Sequence, residues 1–245
     1  MAKAVPDGYT ILIVSSGFSV NAATYADLPY DSVKDFAPIS LLVKRPTVLL
    51  VHPSVPAKSF PEYISYVKAN PEKLNLGTSG AGGISHMIGA WLHSATNTKI
   101  TFVHYKGSGP LFGDLLAGRT QVTTSSLFTG LPHIKPGKLR PIALLNSERS
   151  ALLPDMKTVA EQGIPDFDYS AWTGLLGPVA MPPAIASKIA TELGKHAQTA
   201  DMQERFSVDG TIGIGSSPAE FRQYLVTEIT RWKRLANEFN IKATE

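Results

Sequence analysis

The stretch Leu74-Asn75-Leu76-Gly77-Thr78-Ser79-Gly80-Ala81-Gly82-Gly83 gives the first information about the fold. Leu74–Leu76 has the character of a short strand, and the glycines that follow predict a turn. An amphipathic helix comes directly afterwards, with apolar residues at Ile84, Met87, Ile88, Trp91, Leu92 and Ala95. A strand that leads through a glycine-rich turn into a helix is typical of α/β proteins.

The same alternation extends along the rest of the chain. Further strands are predicted at 9–14, 39–43, 48–51, 100–105, 121–125 and 141–146. Capping sequences before apolar stripes predict helices that begin at Ser59, Pro182, Asp201 and Ser217. This alternation predicts an α/β fold with a largely parallel sheet, in which the apolar stretch 9–14 is buried on both faces.

Two long extended stretches, near 39–52 and 167–178, are placed to pass between two lobes. Two such crossings would form a hinge, because a lobe made of both chain ends needs two connections to an inserted lobe. We therefore expect a discontinuous lobe of residues 1–45 and 171–245 and a second lobe of residues 46–170.

Composition excludes several classes of protein. The 245 residues are 43% hydrophobic and 18% charged, which fits a packed core, and the net charge of +3 without a dense basic run argues against nucleic-acid binding. Absence of cysteine removes thiolate metal sites, and no histidine pair has metal-ligand spacing, so no metal or cofactor is expected. Apolar runs are shorter than the ~18 residues of a transmembrane helix, and no signal peptide is predicted at the N-terminus.

Four loops carry glycines and neutral hydrogen-bond donors, a composition that suits reversible anion binding better than bond breaking. The first is Gly77–Gly83, where amides and the hydroxyls of Thr78 and Ser79 could capture a carboxylate or phosphate; the alternative is a tight turn that binds nothing. The others are 105–110, 15–21 and 125–129. None matches a nucleotide-binding motif. Phe18 and Phe128 are predicted in loops, where they could contact the apolar part of a ligand, whereas packing is expected for Trp172.

A serine hydrolase is the alternative function. Gly77-Thr78-Ser79-Gly80-Ala81 approaches the nucleophile elbow G-x-S-x-G, and Asp155 and His196 follow in hydrolase order. The predicted helix begins several residues after Ser79, however, whereas the elbow needs its nucleophile at the turn itself. This argues against catalysis by Ser79.

Motifs along nearly the whole chain resemble those of one family. They are Pro6-Asp7-Gly8-Tyr9-Thr10, Leu28-Pro29-Tyr30-Asp31, Asp35-Phe36-Ala37-Pro38, Gly77-Thr78-Ser79-Gly80 with Ser85-His86, Tyr105-Lys106-Gly107, Asp114-Leu115-Leu116-Ala117-Gly118, Lys135-Pro136-Gly137-Lys138-Leu139-Arg140, Arg149 with Leu153-Pro154-Asp155, Thr158-Val159-Ala160-Glu161-Gln162-Gly163 and Trp172-Thr173-Gly174. In this order they are similar to the Bug-type receptors of tripartite tricarboxylate transporters.

The resemblance implies a two-lobe, type II periplasmic-binding-protein-like fold that closes on a small di- or tricarboxylate, aliphatic or aromatic. It implies no enzymatic activity, a periplasmic location for the full-length form, and membrane transporter subunits as partners; a sensor acting on a regulatory partner remains an alternative. The ligand contacts that we expect are Thr78, Ser79, Gly80, Gly82, Gly83, Lys106, Gly107 and Ser108, with Ser16, Phe18 and Asn21 from the other lobe, and Ser126 and Phe128. Lys106 could instead only fix its loop by pairing with a neighbour.

The sequence departs from the family pattern in two places. The first β-α-β unit of the family is not found before Pro6, so the first lobe is expected to be incomplete; a monomer is expected, or a dimer or swapped form if the chain is truncated. In Gln121-Val122-Thr123-Thr124, threonine follows the valine where the family often has aspartate. A neutral residue there favours plain carboxylates over amino acids as ligands.

Overall fold

The computed structural model describes residues 3–243. The chain divides into two compact units, with boundaries between residues 44 and 45 and between residues 170 and 171. Unit 1 consists of the residues up to Lys44 together with those from Ala171 onward, and unit 2 is Arg45–Ser170. Both boundaries lie within the extended stretches that the sequence placed between lobes.

Nine strands and eight α-helices are assigned within the described residues. The strands are β1 Leu12–Ser15, β2 Phe36–Arg45, β3 Thr47–Val51, β4 Asn75–Thr78, β5 Thr101–His104, β6 Val122–Ser126, β7 Arg140–Leu144, β8 Ala171–Pro178 and β9 Ile212–Gly213. The helices are α1 Gly17–Thr24, α2 Phe60–Ala69, α3 Ile84–Ala95, α4 Ser108–Leu116, α5 Leu127–Ile134, α6 Pro183–Ala197, α7 Ala200–Ser207 and α8 Pro218–Glu238, with a single 3₁₀ turn at Ala160–Gln162. Over this range no helix is both long enough and apolar enough to cross a bilayer.

Each unit is built on its own sheet. Unit 1 has the strand order β1-β8-β2-β9, and unit 2 has the order β5-β4-β6-β3-β7. Strand β4 is parallel to β5 and β6, whereas β1 pairs antiparallel with β8, β2 with β9, and β3 with both β6 and β7. The mixed α/β fold agrees with the sequence, but the prediction of a largely parallel sheet is wrong.

Strand β1 also differs from its prediction. It was expected to be buried on both faces, yet Tyr9 is 92% exposed and Ile13 68% exposed, and within β1 only Val14 is buried. The reason is topological, because β1 is an edge strand of its sheet and, among the residues that the structure describes, pairs with β8 alone. An edge strand keeps its outer hydrogen-bonding groups free.

The core of unit 1 is largely aromatic. Trp172 on β8 is 1% exposed and packs edge-on against Phe221 of α8, with ring centroids 5.8 Å apart. Its indole N–H donates to Glu228 over 3.3 Å, and Trp232 donates to the same carboxylate oxygen at the same distance. The expected packing role of Trp172 is thus confirmed. Helix α8 begins at the predicted capping box, in which Ser217 and Glu220 cap each other.

Strand β3 is part of the core of unit 2, and all five of its residues are buried. Leu111 and Leu115 of α4 and Leu127 of α5 pack against Val48 and Leu50 of this strand. Helix α3 packs against β4 and β6 through its apolar stripe. This packing fixes the first turns of α3, α4 and α5 relative to the sheet, and it is these turns that form the candidate site.

Candidate functional site

Three loops of unit 2 meet at one edge of its sheet. Strands β5, β4 and β6 are adjacent and parallel, so their carboxyl ends lie on the same side. Each strand leads directly into the first turn of a helix, namely α4, α3 and α5. Helix N-termini present unpaired amide N–H groups and a partial positive charge, which favour an anion. In α/β proteins, ligands usually bind at the loops that follow the carboxyl ends of parallel strands.

The loop between β4 and α3 is shaped by its glycines. Gly82 has a φ of +68°, in the left-handed region that favours glycine, and its N–H donates to Nδ1 of His86 over 3.1 Å. The N–H of Gly83 donates to the carbonyl of Gly80 over 3.2 Å, and Gly83 then forms the N-cap of α3. A Cβ atom at Gly80 would meet no described atom within 4 Å, so the backbone there is open to a ligand.

Ser79 is held by hydrogen bonds at both its backbone groups. Its N–H donates to Oγ of Ser85 over 2.9 Å, and its carbonyl accepts the N–H of Gly107 over 3.1 Å. The second bond ties the loop after β4 to the loop after β5. The Ser79 hydroxyl lies 3.2 Å from the Ser85 hydroxyl, so its described partner is another serine and not a histidine. This is not the nucleophile–base pair that the hydrolase alternative requires.

Two histidines lie behind this loop, and His104 was not singled out in the sequence. Nδ1 of His104 is 2.7 Å from the hydroxyl of the fully buried Thr78, and that hydroxyl also donates to the carbonyl of Gly80 over 3.2 Å. The rings of His86 and His104 have centroids 4.6 Å apart. Burial, followed by the proximity of His104, lowers the pKa of His86 to about 4, and burial also lowers the pKa of His104.

The loop after β5 supplies a cation. Gly107 has a φ of +100° and is the N-cap of α4, followed by the exposed Ser108. Lys106 is exposed and forms no ion pair with any residue that the structure describes. The nearby carboxylate of Asp114 binds Arg119 and the hydroxyl of Tyr105 instead. Lys106 therefore does not fix its loop through an ion pair.

Ser126 and Phe128 lie at the start of α5, which the sequence did not predict. Ser126 is the N-cap, and its hydroxyl oxygen accepts the N–H of Thr129 over 3.3 Å. Phe128 is 56% exposed in the first turn of this helix. The prediction that Phe128 lies in a loop is wrong, yet its ring remains exposed at the same edge of the sheet.

The candidate residues of unit 1 belong to helix α1 and its N-cap, again in place of a predicted loop. Ser16 is the buried N-cap and donates its N–H to the carbonyl of Trp172 over 3.2 Å. The Phe18 ring stacks on Tyr30 with centroids 5.9 Å apart and packs edge-on against Phe36. Asn21 lies one helical turn later and is half-buried. Phe18 is thus part of an aromatic cluster and not a free loop side chain.

Thr123, the residue at the departure from the family pattern, points inward. It is 1% exposed, and its hydroxyl donates to the carbonyl of Gly77 over 2.9 Å. Its hydroxyl joins β6 to β4 beneath the loops. Thr124 is likewise buried, and its hydroxyl donates to the carbonyl of Ser85 over 3.4 Å. Both threonines therefore support the site from below.

Proteins of known structure share this fold over almost the whole chain. An R. palustris protein solved with adipate has a TM-score of 0.89 and 30% identity, covering 98% of this chain and 81% of that one. MatC from Rhodopseudomonas palustris, solved with bound malate, has a TM-score of 0.82 and 29% identity, covering 96% and 81%. In sequence, protein BugT of Bordetella pertussis is 30% identical over 98% of this chain and 74% of its own length. The fold and the site together define a solute-binding receptor.

The pattern of the family described as "Tripartite tricarboxylate transporter family receptor" matches residues 1–241. The chain belongs to this family, which confirms the resemblance that the sequence motifs indicated.

Proposed function

We propose that this receptor captures a small dicarboxylate or tricarboxylate at the edge of unit 2 where β4, β5 and β6 end. The observation that carries the proposal is the joined pair of glycine loops, linked by the Gly107 N–H to Ser79 carbonyl bond of 3.1 Å. Between them they offer the amides of Gly80 and Ser108 beside two helix N-termini. Charged acceptors strengthen such bonds to about twice those of neutral ones.

Lys106 provides the charge that the amides lack. It follows β5 directly, is exposed, and has no anionic partner among residues 3–243. A carboxylate seated on the loop amides would give it one. Phe128, exposed at the first turn of α5, offers an apolar surface for the carbon chain between carboxylates. Adipate and malate, the ligands of two relatives, are therefore suitable first ligands to test.

We further propose that the receptor acts outside the cytoplasm and delivers its ligand to membrane subunits of a tripartite tricarboxylate transporter. The family description supports this assignment. Binding without turnover is expected, because the described partner of Ser79 is the Ser85 hydroxyl.

Thermal unfolding in the presence of ligand tests the proposal. A ligand that binds only the folded protein adds about 2.7 kcal/mol to its free energy of unfolding at a hundredfold excess over Kd, and the melting temperature rises accordingly. Adipate and malate should raise it, whereas hexane-1,6-diol, which lacks carboxylates, should not. A melting temperature unchanged by a series of aliphatic and aromatic di- and tricarboxylates would refute the proposal.

Lys106→Met with Lys99→Met as a matched control tests the site itself. The two lysines are exposed and flank opposite ends of β5, so either substitution changes the net charge equally. Lys106→Met should weaken adipate binding, by about tenfold for the loss of one charge-assisted contact. Lys99→Met should leave it unchanged. Equal effects of the two variants would show that only the overall charge matters.

A further inference from the structure

The two histidines behind the glycine loop form one connected arrangement. His86 lies in the first turn of α3 and His104 at the end of β5. Their ring centroids are 4.6 Å apart, and Phe102 packs against His86 at 4.7 Å. Each ring makes a hydrogen bond to a residue of loop 78–83, through Gly82 and Thr78 respectively.

The hydrogen bond to Gly82 fixes the protonation of His86. A backbone N–H can only donate, so Nδ1 of His86 must carry a lone pair and the ring proton must be on Nε2. An imidazolium would point an N–H at an N–H and lose this bond. The Gly82 amide is thus held only while His86 is neutral.

Thr78 connects His104 to the other side of the loop. A hydroxyl has a single proton, and Oγ1 of Thr78 donates it to the carbonyl of Gly80 over 3.2 Å. Oγ1 must then accept from His104, whose Nδ1 lies 2.7 Å away and carries the proton. The two rings therefore hold the loop on both sides, His86 as an acceptor and His104 as a donor.

We infer that His86 and His104 are positioning residues: His86, as a neutral acceptor, and His104, as a donor, hold loop 78–83 in the shape in which its amides bind a carboxylate. This inference rests on the proposed function. It assigns to the two side chains a role through the loop and not a direct contact with the ligand.

The surroundings favour a neutral His86 ring at neutral pH. Helix α3 has no acidic residue, and its other titratable side chain is His93, which faces Tyr63 and Thr98. Strand β5 contributes His104, and β4 and the loop contribute no titratable group. The pKa of His86 is accordingly lowered to about 4, first by burial and then by His104. Acidification toward that value should weaken binding.

Three variants separate positioning from general stability. In His86→Asn, the amide oxygen stands in for Nδ1 and preserves the acceptor, whereas His86→Leu keeps a side chain of similar bulk without one. His93→Gln is the control, because His93 is a buried histidine of the same helix whose pKa is also lowered to about 4 by burial, but which does not contact the loop.

The first measurement needs no ligand. The Gly82 amide should be protected against hydrogen exchange, followed by NMR, in the wild type, His86→Asn and His93→Gln. In His86→Leu its exchange should be about tenfold faster, which corresponds to the loss of one hydrogen bond. Equal exchange in His86→Asn and His86→Leu would overturn the inference.

The second measurement is adipate affinity by calorimetry at about pH 7.5. His86→Leu should bind about five- to tenfold more weakly than the wild type, and His86→Asn should be rescued to within about twofold. As the pH falls from about 7.5 to 4.5, the adipate affinity of the wild type should decrease more than that of His86→Asn. Protonation of adipate affects both proteins equally, so it cancels in the ratio of the two affinities. A wild type that strengthens relative to His86→Asn would show direct attraction by the imidazolium and would also overturn the inference.

Failure of the proposed function and failure of the positioning role give different results. If the wild type bound neither adipate nor malate, the dicarboxylate proposal would fail at that step. The exchange of the Gly82 amide in the unliganded protein would still decide whether His86 holds the loop.

Discussion

Replacing Glu228 with leucine should destabilise unit 1 far more than replacing it with glutamine. Glu228 is 2% exposed, and one of its carboxylate oxygens lies 3.3 Å from the indole nitrogens of both Trp172 and Trp232. Its other oxygen pairs with Arg231 over 3.1 Å. Leucine removes the shared acceptor, whereas glutamine retains one oxygen in its place.

The magnitude follows from the number of buried donors affected. A buried donor that loses its acceptor costs about 1–3 kcal/mol, so the two indoles give about 2–6 kcal/mol for Glu228→Leu. Glutamine keeps a neutral acceptor and loses the ion pair, for about 1–2 kcal/mol. Glu238→Gln, at an exposed position of the same helix, is the control and should cost less than about 0.5 kcal/mol.

The effect should also depend on pH. Burial raises the pKa of Glu228 above its ordinary value of 4.5, against the opposing effects of Arg231 and the two indoles. The folded protein then binds more protons than the unfolded chain between the two pKa values, so this contribution to the free energy of unfolding falls as the pH rises. It is fully present below pH 4.5. The stability difference between wild type and Glu228→Gln should therefore narrow with rising pH.

Denaturant unfolding followed by tryptophan fluorescence and circular dichroism measures these values, at about pH 5 and about pH 8. Trp172 and Trp232 lie in unit 1 and Trp91 lies in unit 2, so a Trp91→Phe background makes the fluorescence report on the region changed. If Glu228→Leu were no less stable than Glu228→Gln, the shared-acceptor argument would be refuted. A difference between wild type and Glu228→Gln that widened with pH would refute the argument about its pKa.

Two further predictions concern the site of unit 2. Gly77→Ala should lower the free energy of unfolding by about 1–3 kcal/mol, because its Cβ would lie 2.7 Å from Cδ1 of Leu111. Gly113→Ala is the control, because a Cβ there meets no described atom within 4 Å. Equal melting temperatures of the two variants would contradict the steric argument. Thr78→Val should weaken adipate binding about five- to tenfold, because it removes the hydroxyl that donates to the Gly80 carbonyl. Thr78→Ser keeps a hydroxyl and should keep the wild-type affinity. Equal affinities of the two variants in calorimetry would exclude this role for the hydroxyl.

Local signals predicted the elements whose cause is local. The box Ser217-Pro218-Ala219-Glu220 begins α8, and Ser59 caps α2 through the N–H of Glu62, as predicted. The prediction that a capping box at Asp201 begins α7 is wrong by two residues, because the N-cap is Thr199, whose side chain accepts the N–H of Met202. Helices α1 and α5 were missed. Each has only eight residues, and α5 contains Gly130 and Pro132, so neither has a distinctive pattern.

Pairing between distant strands could not be predicted from local patterns. The antiparallel partner of β1 is β8, which follows the whole of unit 2, and nothing in the residues of β1 specifies that partner or its direction. The glycine loop of the site was predicted, because its chemistry lies in one continuous segment. His104 was not, because its role depends on the parallel pairing that brings it beside Thr78.

The discontinuous unit 1 imposes an order on folding. As the chain appears from its N-terminal end, β1 is present early, but its partner β8 appears only after all of Arg45–Ser170. Unit 2 has every strand of its sheet by then, so it can fold while β1 is still unpaired. Until β8 is made, β1 is unpaired on both sides, and the apolar side chains of Tyr9 and Ile13 are exposed next to it. An unpaired strand with exposed apolar side chains promotes aggregation of the unfinished chain, and a chaperone that holds unfolded chains would be suited to cover it.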